Sequence, residues 1–303
     1  MIQHFLDYIA IEKHYSSHTV AAYRDDLRDF CRFFGWETEA FDPKRLDEND
    51  IKLWMIDLLE QQHNSPRSVK RKLCCLKSFY KFLLRTGQIK KDITRRIISP
   101  KTDKPLPVFF KESEMEQVAQ IHADEDDFDS VRNALIIQML YQTGMRRAEL
   151  INLTDKDIDT REGQIRVFGK RSKERIVPIG EHLIQQIEHY QDLRRQLIAE
   201  RGESIDAFWV RQTQKRLNKL TINQLYTIVR SLMGEVSTLH KHSPHVLRHT
   251  FATTMLNNGA DIRTIQTLLG HASLASTQVY THTTFEQIKQ SYLSAHPRAR
   301  RKK

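Results

Sequence analysis

A phosphate site needs donors and positive charge, and one stretch of this 303-residue chain offers both. Ser243-Pro244-His245-Val246-Leu247-Arg248-His249 reads as a helix start, with Ser243 suited to the N-cap and Pro244 to the first helical position. Helical spacing then sets His245, Arg248 and His249 on one face. The free N–H groups and the positive end of the helix dipole favour an anion there, and the cationic side chains add to that preference. Two other readings compete. One is an ordinary surface cluster. The other is zinc, because His240, His242, His245 and His249 are closely spaced and imidazole is a zinc ligand. Against zinc, neither Cys nor carboxylate lies among the four, and Pro244 interrupts the run.

Three further segments carry residues able to join such a site. Leu140-Tyr141-Gln142-Thr143-Gly144-Met145-Arg146-Arg147-Ala148-Glu149-Leu150 joins two helices through Thr-Gly and places Arg146 at the start of the second. A local reading makes Arg146 and Glu149 an ion pair. Lys170 lies in Gly169-Lys170-Arg171-Ser172-Lys173-Glu174, a charged hairpin turn between two β-rich runs. Leu268-Leu269-Gly270-His271 ends a helix at a glycine, and a short polar stretch leads on to Thr277-Gln278-Val279-Tyr280. A tyrosine is ordinarily a packing residue with a hydrogen-bonded tip, so Tyr280 stands out only by its company.

The elements that must position these residues are mostly helical. In the first hundred residues, apolar side chains recur at helical spacing in Val20, Tyr23, Leu27, Phe30 and Phe34, again in Ile51, Trp54, Met55, Leu58 and Leu59, and again in Val69, Leu73, Leu76, Tyr80 and Leu83. The last stripe begins after Ser65-Pro66 and ends before Gly87, and Lys70, Lys77, Lys81 and Arg85 run along its other side. That basic stripe is either a solvated face or a rail for a phosphate backbone. Ser-Pro-Lys-Thr-Asp-Lys-Pro-Leu-Pro over 99–107 has no periodicity and reads as an extended linker between two domains, which could close around a duplex. Beyond it, Gln164–Phe168 and Arg175–Ile179 are β-rich runs, Asp157–Asp159 offers a third strand, and helices resume after Gly180. The acidic run Asp124–Asp127 reads as a solvated loop.

Composition bounds the function classes. Lys and Arg number 48 against 38 Asp and Glu, a net charge of +10 spread over both halves, which favours a polyanionic partner. With 39% hydrophobic residues the chain can build real cores. The three cysteines, Cys31, Cys74 and Cys75, give no disulfide framework, and the adjacent pair reads as core. This, with no basic segment leading an apolar run at the N-terminus and no apolar stretch of membrane-spanning length, predicts a cytoplasmic protein with no membrane partner.

Taken in order, Arg146 after Thr-Gly, Lys170 in the hairpin, His245-x-x-Arg248, His271 after Leu-Gly, and Tyr280 nine residues later closely resemble the tyrosine recombinase (phage-integrase-like) family, specifically its bacterial Xer recombinases. The resemblance covers the whole chain and extends to His296-Pro297-Arg298-Ala299 near the end. Met145 stands where Leu is frequent, and Arg171-Ser172 where Gly-Asn is frequent, both beside filled catalytic positions.

The resemblance implies a mainly α fold with a small β-sheet insertion: a SAM-like helical core-binding domain over residues 1–100, a linker at 101–107, and a catalytic domain over 108–303 with a three-stranded sheet. It implies Tyr280 as the nucleophile forming a 3′-phosphotyrosine, Arg146 and Arg248 as forks on the non-bridging oxygens, and His271 as a further donor. His245 becomes the acid/base for the phenol and Lys170 the proton donor to the departing 5′ oxygen. No metal or cofactor is implied. The partners implied are duplex DNA, a homo- or hetero-tetramer on two DNA sites, a second Xer recombinase and an FtsK-type translocase, with the resolution of chromosome or plasmid dimers as the task. Phe285, Ile288 and Tyr292 follow helical spacing and would pack either on a neighbouring protomer or on their own chain. Competing readings are an integrase or transposase of a mobile element with the same chemistry, a type IB topoisomerase-like nickase, and a DNA-binding protein without catalysis.

Overall fold

A computed structural model describes residues 1–102, 108–121, 127–169, 174–270 and 282–299. The chain divides into two compact units, Met1–Pro105 and Leu106–Lys303. Residues 103–107, most of the expected linker, lie outside the described residues.

The first unit is a bundle of four helices, α1 (Ile2–Ile11), α2 (Ser17–Phe33), α3 (Glu48–Glu60) and α4 (Pro66–Arg85). Local chemistry sets their starts. The side chain of Ser16 accepts from the Thr19 N–H, Asp47 and Asp50 form a reciprocal capping box, and Ser65 caps α4 with Pro66 next to it. The apolar stripes meet in one core, where Phe30 lies edge-on to Trp54 with ring centroids 4.8 Å apart and Phe79 tilts against Phe5 at 5.2 Å. Asp26 is buried between α2 and α4 and is paired by Arg71 and Lys72, which offsets the cost of burying a carboxylate.

Three expectations for this unit need correction. Helix ends at Arg85, and residues 86–100 form turns and irregular chain rather than helix. Cys75 is buried but Cys74 is exposed, because neighbouring helical positions point about 100° apart and only one can face the core. The basic stripe is partly used within the fold: Lys77 donates to the Ile97 carbonyl (2.7 Å), and Arg85 lies on the Tyr8 ring and donates to its hydroxyl (2.6 Å). Lys70 and Lys81 are exposed.

The second unit is built around a buried helix. Its described elements are α5 (Glu112–Ile121), α6 (Phe128–Thr143), α7 (Arg147–Ile151), β1 (Ile158–Asp159), β2 (Gln164–Phe168), β3 (Glu174–Pro178), α8 (Glu181–Arg201), β4 (Val210–Gln212), β5 (Leu217–Lys219), α9 (Ile222–Val236), α10 (Pro244–Asn257), α11 (Ile262–Leu269) and α12 (His282–Ala295). Helix α6 is apolar nearly all round and packs against α8, α9 and α10, as a central helix must. Asp127 caps it by accepting from the Ser130 N–H (2.8 Å); the rest of the acidic run, 124–126, lies outside the described residues.

The sheet is antiparallel in the order β1-β2-β3, with Val167 opposite Arg175 and Phe168 opposite Glu174. Ile165 and Val167 alternate inward from β2, the half-buried pattern expected of this run. Strand β3 starts at Glu174, one residue earlier than anticipated. A second hairpin, β4–β5, was not anticipated at all. It is placed by Trp209, which donates to the Leu150 carbonyl (2.8 Å), and by Tyr190, whose hydroxyl bridges Phe208 and Val210. At the end of the chain Ile288 and Tyr292 are buried in the core of their own unit, so α12 packs on its own chain against α10 and β3.

Candidate active site

The two candidate arginines sit where helices end inside the core. Helix α6 stops at Thr143, whose hydroxyl turns back to the Met139 carbonyl, and Gly144 takes up the left-handed conformation at φ +60. Only glycine fits there: a Cβ would also overlap Phe251 and Leu269. The chain then reverses, and Arg146 becomes the N-cap residue of α7. Glu149, one turn on, accepts from the Arg146 backbone N–H (2.8 Å) and from its Nη1 (2.8 Å), so the anticipated local pair exists.

Arg248 comes from the first turns of α10. The start at Ser243-Pro244 is as expected, although the Ser243 side chain makes no capping bond. Its guanidinium is buried and bridges two backbone carbonyls, Nη1 to Gly144 and Nη2 to Leu269, each at 2.6 Å. Burial, then Arg146 and Arg175, lower its pKa to about 10 against the opposing pull of Glu149, so it stays charged at neutral pH.

Helix α11 completes the arrangement. The last carbonyls of a helix have no partner within it and form the negative end of its dipole. Here three successive ones are each taken by a different arginine: Leu268 by Arg175 Nε (2.7 Å), Leu269 by Arg248, and Gly270 by Arg146 Nη2 (3.5 Å). A helix end thereby offsets part of the repulsion among three cations. Arg146 and Arg248 both retain further N–H groups for an incoming anion, and the Arg146 side chain is 35% exposed.

His245 lies at the surface of the same helix start. Burial of its ring lowers its pKa, with Arg147, Arg248 and Arg146 acting in the same sense. These effects favour the neutral imidazole, the form able to accept a proton. The other histidines of the zinc reading do not gather around it: the His242 ring stacks on Phe110 and bonds at the Ser237 carbonyl, and His249 faces Phe109. Among the described residues, no three His, Cys, Asp or Glu side chains form a group that could hold a metal ion.

Arg146, Arg248 and His245 are thus brought together. Lys170, His271 and Tyr280 lie outside the described residues. Their flanks are described: the Phe168–Glu174 pair ends the β2–β3 ladder, and Gly270, left-handed at φ +65, precedes His271. Two members of the cluster were missed in the sequence, Glu149 as more than a local partner and Arg175 altogether. The available signal was parity. Arg175 shares the inward face of β3 with Val177, and a charged residue there requires a buried counter-charge.

Comparison with known proteins completes the assignment. Residues 109–287 match the family described as "Phage integrase family", and residues 2–87 match "Phage integrase, N-terminal SAM-like domain". A protein of Listeria innocua named tyrosine recombinase XerC is 38% identical over 295 residues, covering 97% of each chain. One of Listeria monocytogenes with the same name is 39% identical over 298 residues, covering 98% of this chain and 97% of the relative. The integrase of the Tn1549 transposon, solved in complex with transposon right end DNA, shares the fold with a TM-score of 0.69 at 18% identity, covering 95% of this chain and 98% of the other. No helix among the described residues is long and apolar enough to cross a membrane. With both domain matches present and named relatives aligned over nearly its full length, the chain belongs to the phage integrase family of tyrosine recombinases, enzymes of site-specific DNA cleavage and rejoining.

Proposed function

We propose that Arg146, Lys170, His245, Arg248, His271 and Tyr280 surround one phosphodiester of duplex DNA and exchange its ester oxygen. The observation that carries this reading is the pair of arginines held by helix-end carbonyls, with free N–H groups left over. The Tyr280 oxygen attacks phosphorus while the bond to the 5′ oxygen breaks, giving a 3′-phosphotyrosine and a free 5′-hydroxyl. Charge that builds on the non-bridging oxygens meets Arg146, Arg248 and His271. Such preorganised donors are each worth roughly 3 kcal/mol in related acyl-transfer sites. A free phenol ionises near about 10, so it needs help near neutrality, and neutral His245 takes its proton. Lys170 supplies a proton to the leaving oxygen. Rejoining reverses each step with a second 5′-hydroxyl, and because one ester replaces another, no external energy source is required.

The cellular task proposed is the resolution of chromosome or plasmid dimers, supported by the near full-length likeness to proteins named XerC. Residues 1–100 and 108–303 would each face the duplex, four protomers would assemble on two sites, and a second Xer recombinase and an FtsK-type translocase would take part.

A nicked suicide substrate tests the chemistry. Wild-type chain should form a covalent protein–DNA adduct whose DNA-bearing peptide contains Tyr280, and Tyr280→Phe should bind the same DNA and form none. An adduct trapped from Tyr280→Phe would refute the assignment.

A further inference from the structure

Arg175 has no part in the chemistry just proposed, yet it is the most thoroughly bonded member of the cluster. Its side chain is 5% exposed, as is that of Glu149, and the two meet as a fork on a fork: Nη2 to Oε2 at 2.7 Å and Nη1 to Oε1 at 3.1 Å. Nε donates to the Leu268 carbonyl at the end of α11 (2.7 Å). Its stem lies against Gly270, where even a Cβ would come within 3.2 Å of Nη1 and 3.3 Å of Cδ. Every N–H-bearing atom of this guanidinium is therefore committed to the protein, whereas Arg146 gives Nη1 to Glu149, reaches the Gly270 carbonyl only at 3.5 Å through Nη2, and stays 35% exposed.

Glu149 shows what this arrangement does. It is a buried carboxylate that accepts from Arg146 and from Arg175 together. Burial acts to raise its pKa, but Arg175 first and then Arg146 outweigh it, and the carboxyl is held below its usual range. If Arg175 were missing, the whole of that charge would fall on Arg146. A fork drawn fully onto Glu149 is not available to a phosphate.

We infer that Arg175 is a positioning residue for strand cleavage: by taking the larger share of the Glu149 carboxylate and the Leu268 carbonyl, it leaves the remaining, exposed N–H groups of Arg146 to face the phosphate and fixes the end of α11 just before His271. It also links three separate parts of the chain, since β3 follows Lys170 in sequence by a few residues, Glu149 belongs to α7, and Leu268 to α11. This assignment rests on the catalytic reading above and extends it to a residue that need not touch DNA.

The test is a double-mutant cycle on the suicide substrate, with cleavage rate at saturating DNA, DNA affinity and melting temperature measured for each chain. Arg175→Met should slow adduct formation at saturating DNA on the order of tenfold or more, with affinity unchanged. Adding Glu149→Gln to Arg175→Met should make cleavage faster than in Arg175→Met alone, because the uncompensated carboxylate that captures Arg146 is gone. Arg175→Lys, which keeps the charge but loses the fork, should fall between wild type and Arg175→Met. If Arg175→Met does not fold, the comparison moves to Arg175→Lys with and without Glu149→Gln, and the doubly substituted chain should again be the faster. Wild-type cleavage by Arg175→Met, a double variant no faster than its parent, or rate losses that simply track melting temperature would each overturn the assignment. A wild-type chain that forms no adduct would overturn the catalytic reading and this assignment with it. An adduct at Tyr280 with no effect of Arg175 would overturn this assignment alone.

Discussion

Arg248 is oriented by the protein itself, because the Gly144 and Leu269 carbonyls fix two of its nitrogens. Arg146 is held by Glu149 through its backbone and its side chain. The side-chain contacts of both residues use the planar, forked guanidinium, which an ammonium cannot reproduce. Arg146→Lys should therefore be nearly as damaging to adduct formation as Arg146→Ala, with a loss of about a hundredfold or more. Single-turnover cleavage measures this, and near-normal cleavage by the lysine variant would argue against a phosphate fork. Arg146, His245 and Arg248 were legible in the sequence because each sits at a helix start marked by glycine, serine or proline, where spacing alone fixes the face. Arg175 was not, because a charged residue in a short strand looks like surface until its partner 26 positions away is seen to lie beneath it. The Arg146–Glu149 pair was legible as local, but its second half was long-range.

Helix ends do most of the positioning. The C-terminus of α6 supplies Gly144, that of α11 supplies the carbonyls for three arginines, and the start of α10 supplies His245 and Arg248. Gly144 is the tightest point, with positive φ and no room for a Cβ against Phe251. Gly144→Ala should cost roughly 2–4 kcal/mol, combining the left-handed penalty with overpacking. Urea unfolding measures the loss, and a variant as stable as wild type would show that this reversal is not under such constraint. The long amphipathic helices of the first unit were readable because their stripes repeat over several turns. The β4–β5 hairpin was not, because strands of three residues carrying Arg211, Gln212, Asn218 and Lys219 have no apolar alternation to detect. Which surface would cover Phe285, Ile288 and Tyr292 also required the fold, since one apolar stripe suits a neighbour or its own core equally.

At the scale of the whole molecule, the end of the chain is tied into the catalytic unit. The His296 ring sits among Tyr141, Tyr292 and Phe251 at centroid distances of 5.0, 5.5 and 5.7 Å, and Arg298 lies on Tyr141 while bonding Gln138 and the Met115 carbonyl. Burial lowers the His296 pKa to about 3. An unfolded chain takes up that proton near about 6.5, so protonation favours unfolding. Stability contributed by this site is full above about 6.5, declines as pH falls, and levels off below about 3, a change of up to roughly 5 kcal/mol. His296→Phe should remove this part of the slope in urea unfolding measured between pH 7 and 4; an unchanged slope would show that His296 titrates in the folded state.

The central claim is a convergence of side chains on one phosphorus atom, and the most direct measurement is a structure of the chain on nicked DNA with vanadate in place of the scissile phosphate. The account predicts vanadium bonded to the Tyr280 oxygen, with Arg146, Arg248 and His271 at about 3 Å from its equatorial oxygens and Lys170 beside the leaving oxygen. Vanadate held away from Tyr280, or held without Arg146 and Arg248, would contradict it.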